Sequence, residues 1–386
     1  MLECTYDWVN IINERDCLDI IYIDFEKAFD KVSTEKLIYK ISKYGVGGDL
    51  LDWFREFLTN RRQAVRVGTC FSDPTSVDSG IGQGTILGPL LFILYINEIP
   101  DTLANPVNKV KLYADDSKLY GKCSSNIECM QLSMDLANIE KWCLEWQLSI
   151  NSSKCEVVHL GNSNAKFPYQ INDQLIPKKQ FCRDLGILID DKVKFRKHYE
   201  NITRIAHYKC IQYRRAFSLH DTDFLVSLYK TYILPPLEYG SPVWNPYYKQ
   251  DIDLIEKVQR KFTKFLPNMF HKTYRERLHA LNLITLEERR IYTDLIYLFK
   301  IIHGKIDTDL LRFFSFNQMN TRGHRYKLLL NISRINCHKY HFCNRVIKPW
   351  NDLPNDVINS ESVDQFKQRL LNIDVKRYCI GCANTA

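Results

Sequence analysis

Residues 110–120 read VKLYADDSKLY, and no other stretch narrows the possible folds as much. Val110, Leu112 and Ala114 alternate with Lys111, Tyr113 and Asp115, and the alternation resumes after Ser117 through Leu119. That pattern predicts two strands joined by a tight turn, with the carboxylates Asp115 and Asp116 at the turn. In a regular strand the two side chains would leave on opposite faces, whereas at a turn both can reach one site. Two carboxylates held together repel, and one of them should titrate high unless a cation lies between them. Asp-Asp-Ser is also ordinary turn chemistry, so the pair gains meaning only from the rest of the chain.

A third carboxylate stands far upstream. Leu18 to Ile23 is a dense apolar run that suits a buried strand, and Asp24 follows it at once, ahead of Phe25, Glu26, Lys27, Ala28, Phe29 and Asp30. A strand-end Asp can hold a metal or cap the next helix. A phosphatase with an aspartyl nucleophile would need a second Asp two residues on, where Glu26 stands. Further along, residues 79–89 read SGIGQGTILGP, a glycine-rich loop that lets backbone approach a ligand closely and opens an apolar helix over 90–99.

Composition bears on partners and compartment. The 386 residues are 45% apolar, enough for two or three domains with real cores. Residues 1–190 hold 20 Lys and Arg against 26 Asp and Glu, while residues 191–386 hold 33 against 19. An acidic half able to hold cations and a basic half able to hold phosphates fit a nucleic-acid enzyme. The 13 cysteines follow no framework, and Glu3 and Asp7 lie within the first ten residues. No export signal is expected, and the thiols read as reduced and intracellular. The longest apolar run, 86–96, is too short to cross a bilayer.

Helices are expected over 33–44, 49–58 and 127–146, a strand over 64–67 and another over 156–160. Residues 169–176 and 181–189 are expected to form a hairpin across Pro177-Lys178-Lys179. From Phe195 the chain turns helical and basic. Lys192, Lys194, Arg196, Lys197, Arg204, Lys209, Arg214 and Arg215 are interleaved with Tyr199, Tyr208 and Tyr213. That mixture suits a nucleic-acid backbone and its bases, or a solvated helix face. Helices are expected at 222–234, 249–266, 274–280 and 285–303. A basic loop follows with Arg322, His324, Arg325 and Lys327. Cys337, His338, His341, Cys343, Cys379 and Cys382 could be searched for zinc, but their spacing matches no zinc knuckle.

Three separated patterns now agree. IYIDFEKAFDKV, GIGQGTILGPLLF and LYADD resemble motifs A, B and C of reverse transcriptases, in particular those of the non-long-terminal-repeat (LINE-like, jockey-like) retrotransposons. LTNRRQAVRV resembles the segment before motif B, WQLSINSSKCEVVHLG motif D, and FCRDLGILID motif E. YGSPVWNP with IEKVQRKFTKFL resembles the thumb region, and NRVIKPWNDLP the usual C-terminal portion. The 23 residues before Asp24 do not show the family's basic fingers, no endonuclease domain is present, and Gly82 stands where motif B usually has Pro. The chain is therefore expected to be a 5′-truncated copy.

The resemblance implies an α+β fold: a right-hand polymerase palm of antiparallel sheet and helices with part of the fingers missing, over 1–190. A helical thumb would follow at 191–302 and a basic C-terminal extension at 303–386. It implies an RNA-directed DNA polymerase that extends a primer 3′-hydroxyl with two Mg²⁺ ions, Mn²⁺ being an alternative. Asp24, Asp115 and Asp116 would be catalytic ligands, with the Phe25 carbonyl a further one. Phe29 would crowd a ribose 2′-hydroxyl, or be a plain core ring. Gln83 and Gly84 would meet the incoming nucleotide, and Lys154 would protonate pyrophosphate, or be a solvated lysine. Lys194, Arg196, Lys197, Arg204, Arg214 and Arg215 would track nucleic acid. The partners implied are an RNA template, a DNA primer or target and deoxynucleotides, without a membrane, in the nucleus of the cell. The alternatives are a remnant that only binds nucleic acid and a viral RNA polymerase, which Phe29 argues against.

Overall fold

The computed structural model describes residues 1–217, 221–317 and 323–381. The basic-loop residue Arg322 and the tail thiol Cys382 lie outside them. The backbone clusters into two compact units, one of residues 15–182 and one that joins residues 1–14 to 183–386. Label α1 denotes the N-terminal helix Leu2–Asn13, which is part of the second unit.

The unit of residues 15–182 is built on a five-stranded sheet. Its strands are β1 (Leu18–Ile23), β2 (Lys109–Tyr113), β3 (Asp116–Lys122), β4 (Glu156–Leu160) and β5 (Lys178–Lys179), in the order β5-β4-β1-β3-β2. All neighbours are antiparallel except β5 on β4. β1 is central and reads LDIIYI because both of its faces are covered. One face carries Ile21, Ile23, Leu119 and Val157 into a core closed by three helices. These are α2 (Thr34–Lys43), α3 (Gly88–Ile96) and α4 (Asn126–Glu145), which contribute Leu37 and Ile41, Leu91 and Phe92, and Leu132, Leu136 and Ile139. α4 starts where Ser125 and Glu128 cap each other's backbone reciprocally, and α3 starts on Pro89, whose missing N–H costs nothing in a first turn. The observed unit is the antiparallel, helix-covered α+β palm that the motifs imply.

Two local expectations are corrected. The hairpin expected across Pro177-Lys178-Lys179 does not form. Gln170–Ile171 pairs with Gln174–Leu175 through Asn172 and Asp173, whose φ angles of 50° and 58° are those of a two-residue hairpin turn. Lys178–Lys179 extends the palm sheet instead, and Phe181–Asp184 pairs with Ile187–Asp190 through Leu185-Gly186. The helix expected over 222–234 is helical to Leu228 and then widens to a π-turn at Tyr229–Ile233. Pro235 and Pro236 follow and supply no N–H to the preceding turn, which suits the looser register.

The unit of residues 1–14 and 183–386 is helical. Its longer helices are α5 (Arg196–Ala216), α6 (Lys249–Lys264) and α7 (Leu286–Ile302). Leu295, Leu298, Phe299, Phe342, Trp350 and Phe366 form its core, and the Trp350 indole donates to the Tyr326 carbonyl at 2.9 Å. α1 packs here through polar contacts of very long sequence range. Arg312 holds Asp7 with bonds of 2.6 and 2.7 Å, His341 meets the Thr5 hydroxyl at 3.1 Å, and His338 meets the Asn10 amide at 2.9 Å. His338 and His341 are therefore packing groups for α1, and burial holds both imidazoles below their usual range. Removing Asp7 takes two short bonds from the half-buried Arg312 and leaves it the longer 3.9 Å contact with Glu3. Asp7→Ala is expected to cost about 1–3 kcal/mol. Hydrogen exchange should rise in α1 and around residues 310–345 and stay unchanged in 15–182; uniform exchange changes would contradict this packing.

Candidate active site at the β1 end and the β2–β3 turn

Strand pairing carries Asp24 to the end of the sheet where the turn holds Asp115 and Asp116. β1 runs antiparallel to β3, the ladder ending with Ile23 opposite Ser117, so Asp24 leaves β1 at the end where Asp116 opens β3. β2 and β3 are joined by a two-residue turn closed by the pair Tyr113 and Asp116, with Ala114 at φ 49° and Asp115 at the tip. Asp115 and Asp116 are exposed, and Asp24 is part-buried. The strand, tight turn and strand expected from the alternation in residues 110–120 are thus observed, with the two carboxylates at the turn.

Asp24 is fixed from its other side by the stretch 149–155. Its carbonyl accepts from the Asn151 N–H at 2.8 Å, its own N–H donates to the Cys155 sulfur at 3.5 Å, and Glu26 N–H donates to the Ser149 carbonyl at 2.9 Å. Carbonyls alternate along extended backbone, so this pairing turns the Phe25 carbonyl toward the opposite edge, the side of β3. Burial pushes the Cys155 thiol up to about 11, so it acts as a neutral packing group under Asp24.

The Asp24 carboxylate is electrostatically unfinished. Its Oδ2 is shut off from solvent without a hydrogen bond, and the Lys154 ammonium is 3.9 Å away. Burial raises the Asp24 carboxyl above its ordinary value, the Asp115 charge adds to that, and Lys154 works against both. A buried carboxylate oxygen without a hydrogen bond, within reach of the Asp115 charge, fits a hard divalent cation with oxygen ligands. The three aspartates are not drawn into a tight knot. Among the described residues, the Asp, Glu, His and Cys trio whose ligand atoms all lie within 4.8 Å of one another is Asp19, Cys123 and Cys129. Mg²⁺ needs only one or two protein carboxylates and takes its other oxygens from water and phosphate.

The glycine-rich loop docks against the turn that follows Asp24. Gly80 N–H donates to the Val32 carbonyl at 2.7 Å and Ile81 N–H to the Phe29 carbonyl at 2.8 Å. Gly80 has φ 85°, and a Cβ there would stand 2.6 Å from the Asp30 carbonyl oxygen, so only glycine fits. The Gln83 amide donates to the Asp30 carboxylate at 2.9 Å, while Gly84, with φ 81°, faces open space. The Phe29 ring is half-buried and stacked on Phe92, with centroids 4.5 Å apart and planes at 21°. Asp30 and Arg61 escaped the reading of the sequence. Asp30 anchors both Ser79 and Gln83, and Arg61 donates to the Ser79 and Gly80 carbonyls at 2.7 and 2.6 Å. Asp30 follows Phe29 directly and Arg61 opens the segment before the loop, but neither has a partner visible in the sequence.

The basic residues of the second unit are less free than their density suggests. Arg196 is bonded to Asp251 and Glu200, Lys197 lies 3.5 Å from Glu200, and Arg204 donates to the Asn201 side chain at 3.0 Å. Lys194 lies over the Tyr248 ring and Arg214 over the Phe265 ring at 4.7 Å, and Arg215 is exposed.

The reverse transcriptase (RNA-dependent DNA polymerase) family model matches residues 9–226, more than half of the chain. The probable RNA-directed DNA polymerase from the transposon X-element of Drosophila melanogaster is 27% identical over 264 residues, which are 66% of this chain and 29% of that protein. The RNA-directed DNA polymerase from mobile element jockey of Drosophila funebris is 27% identical over 266 residues, again 66% and 29%. The chain thus spans less than a third of the length of these curated relatives. Among solved structures, telomerase from Candida albicans in complex with a fragment of telomeric RNA covers 73% of this chain and 52% of that one, at 11% identity and a TM-score of 0.42.

The raised Asp24 carboxyl makes a signed prediction. Its protonated form is favoured by folding, so its contribution is largest below the ordinary carboxylate range and is lost as the pH rises through the raised value. Without divalent cations, Asp24→Asn should melt slightly higher than the parent at pH 7 and no higher at pH 3. Added Mg²⁺ at pH 7 should raise the parent's melting temperature and leave the variant's unchanged, and equal Mg²⁺ responses would contradict the geometry. Motifs, sheet register and the matched model agree, and the chain belongs to the reverse transcriptase (RNA-dependent DNA polymerase) family, with the jockey-like resemblance of its sequence borne out.

Proposed function

We propose that this chain is the polymerase portion of an RNA-directed DNA polymerase and extends a DNA primer on an RNA template. The observation that carries the reading is the buried Oδ2 of Asp24, which has no hydrogen bond and only the Lys154 ammonium 3.9 Å away, at the end of the strand that pairs beside the Asp115–Asp116 turn. Asp24, Asp115, Asp116 and the Phe25 carbonyl would hold two Mg²⁺ ions, or Mn²⁺ in their place. When bound, these ions supply activation of the primer 3′-hydroxyl and charge neutralisation for departing pyrophosphate. The rest falls to the chain. Lys154, next to Asp24, holds a proton at Nζ that can pass to pyrophosphate. Phe29, backed by Phe92, leaves no room for a ribose 2′-hydroxyl and so selects deoxynucleotides. Gln83 exchanges its bond to Asp30 for the nucleotide, and Gly84 lets backbone come close.

Residues 15–182 act as the palm in this reading. Within the second unit, 191–302 act as the thumb and 303–381 as a basic extension. Lys194, Arg196, Lys197, Arg204, Arg214 and Arg215 would contribute phosphate contacts, with Arg196 also tied to Asp251 on α6. A nuclear location follows from a DNA target. No described helix is long and apolar enough to cross a membrane.

Primer extension on an RNA template with Mg²⁺ tests the reading, using the chain joined to a fingers segment from a jockey-like relative. Asp115→Asn should lower the rate by about a hundredfold or more, with unchanged binding of the primer–template. Undiminished extension by Asp115→Asn would remove the metal-site assignment. Binding without extension by the parent would favour a nucleic-acid-binding role alone.

A further inference from the structure

We infer that Asp19, Cys123 and Cys129 form a buried zinc site inside the palm, separate from the three aspartates of the polymerase site. Their ligand atoms all lie within 4.8 Å of one another, and the residues are 0%, 2% and 2% exposed. Three segments remote in sequence bring them together. Asp19 is the second residue of β1, opposite Gly121 on one side and His159 on the other. Cys123 follows the end of β3, where its N–H donates to the Cys17 carbonyl at 2.8 Å, and Cys129 is in the first turn of α4.

The surroundings are those of an oriented ligand set. One Asp19 oxygen meets His159 Nδ1 at 2.7 Å and the Asn164 amide at 2.8 Å, and the other accepts from the Tyr169 hydroxyl at 2.7 Å. These contacts use three of the four lone-pair directions of the carboxylate. Partners that fix a ligating carboxylate in this way are the usual outer shell of a metal site. The Tyr169 hydroxyl also lies 3.4 Å from the Cys123 sulfur, so one outer partner bridges two of the three ligands. Two thiolates with one carboxylate suit Zn²⁺, which binds sulfur at about 2.3 Å and oxygen at about 2.0–2.2 Å. Such bonds require ligand atoms about 3.3–3.8 Å apart, within reach of small side-chain rotations from the observed cluster. Binding releases the two thiol protons to solvent and gives the wholly buried Asp19 carboxylate a cation. The competing reading is a hydrogen-bonded core network with neutral thiols.

The test measures zinc, not polymerase activity. The full chain, expressed with zinc in the medium and purified without chelator, should carry about one zinc per molecule. Cys123→Ser combined with Cys129→Ser should lower that content by about tenfold or more, while Cys337→Ser with Cys379→Ser should leave it unchanged. Zinc well below stoichiometric in the parent, or zinc retained by the Cys123/Cys129 variant, would overturn the site. If that variant does not fold, Co²⁺ is added to the Cys337/Cys379 variant, where the palm is intact. Thiolate-to-cobalt absorption with the visible bands of a tetrahedral ion supports the site, and their absence overturns it.

Discussion

The antiparallel register between β1 and β3 is the constraint on which everything at the site depends. Leu18 to Ile23 pair with Lys122 to Ser117 in unbroken steps, and that ladder brings the end of β1 to the start of β3 some ninety positions later. A slip by one residue would turn every side chain of β1 to the other face. Ile21 and Ile23 would leave the core, and Asp24 would leave the turn. The same slip would break the Asp19 cluster, because Asp19, Gly121 and His159 occupy one row across three strands. The hydrophobic core therefore acts as the positioning device for the polar chemistry at both places.

That core also explains why the active-site carboxylates can be poorly satisfied. Packing of Ile21, Ile23, Leu119 and Val157 against three helices fixes the backbone regardless of what the aspartates do. Asp24 is held by backbone bonds from 149–151 and not by bonds to its carboxylate. A group that is fixed yet electrostatically incomplete is suited to receive a cation without rearranging. The glycine-rich loop follows the same logic, since its anchor is the Asp30 backbone and side chain while Gly84 stays open.

Much of the palm was legible because local pattern and function coincide there. Alternation in residues 110–120 gave the hairpin, the apolar run before Asp24 gave the buried strand, and the motif order gave the family. What escaped depends on contacts that no local pattern records. His338 and His341 stood among candidate zinc ligands, yet they bind α1 across more than 300 residues. Asn172-Asp173 is a strong hairpin signal, outweighed in the reading by the more conspicuous Pro177. The density of Lys and Arg after residue 190 was visible, but the carboxylates of Glu200 and Asp251 that occupy Arg196 were not. Asp19 lies inside the apolar run 18–23, and nothing local in the sequence shows that it is wholly buried with His159, Asn164 and Tyr169 on its carboxylate.

The central claim is that Asp24 and the β2–β3 turn make one cation site. Mn²⁺ binding followed by electron paramagnetic resonance measures it directly. The account predicts saturable binding that weakens about tenfold or more for either Asp24→Asn or Asp115→Asn, with the double variant little worse than the single ones. Binding unaltered by Asp24→Asn would contradict it.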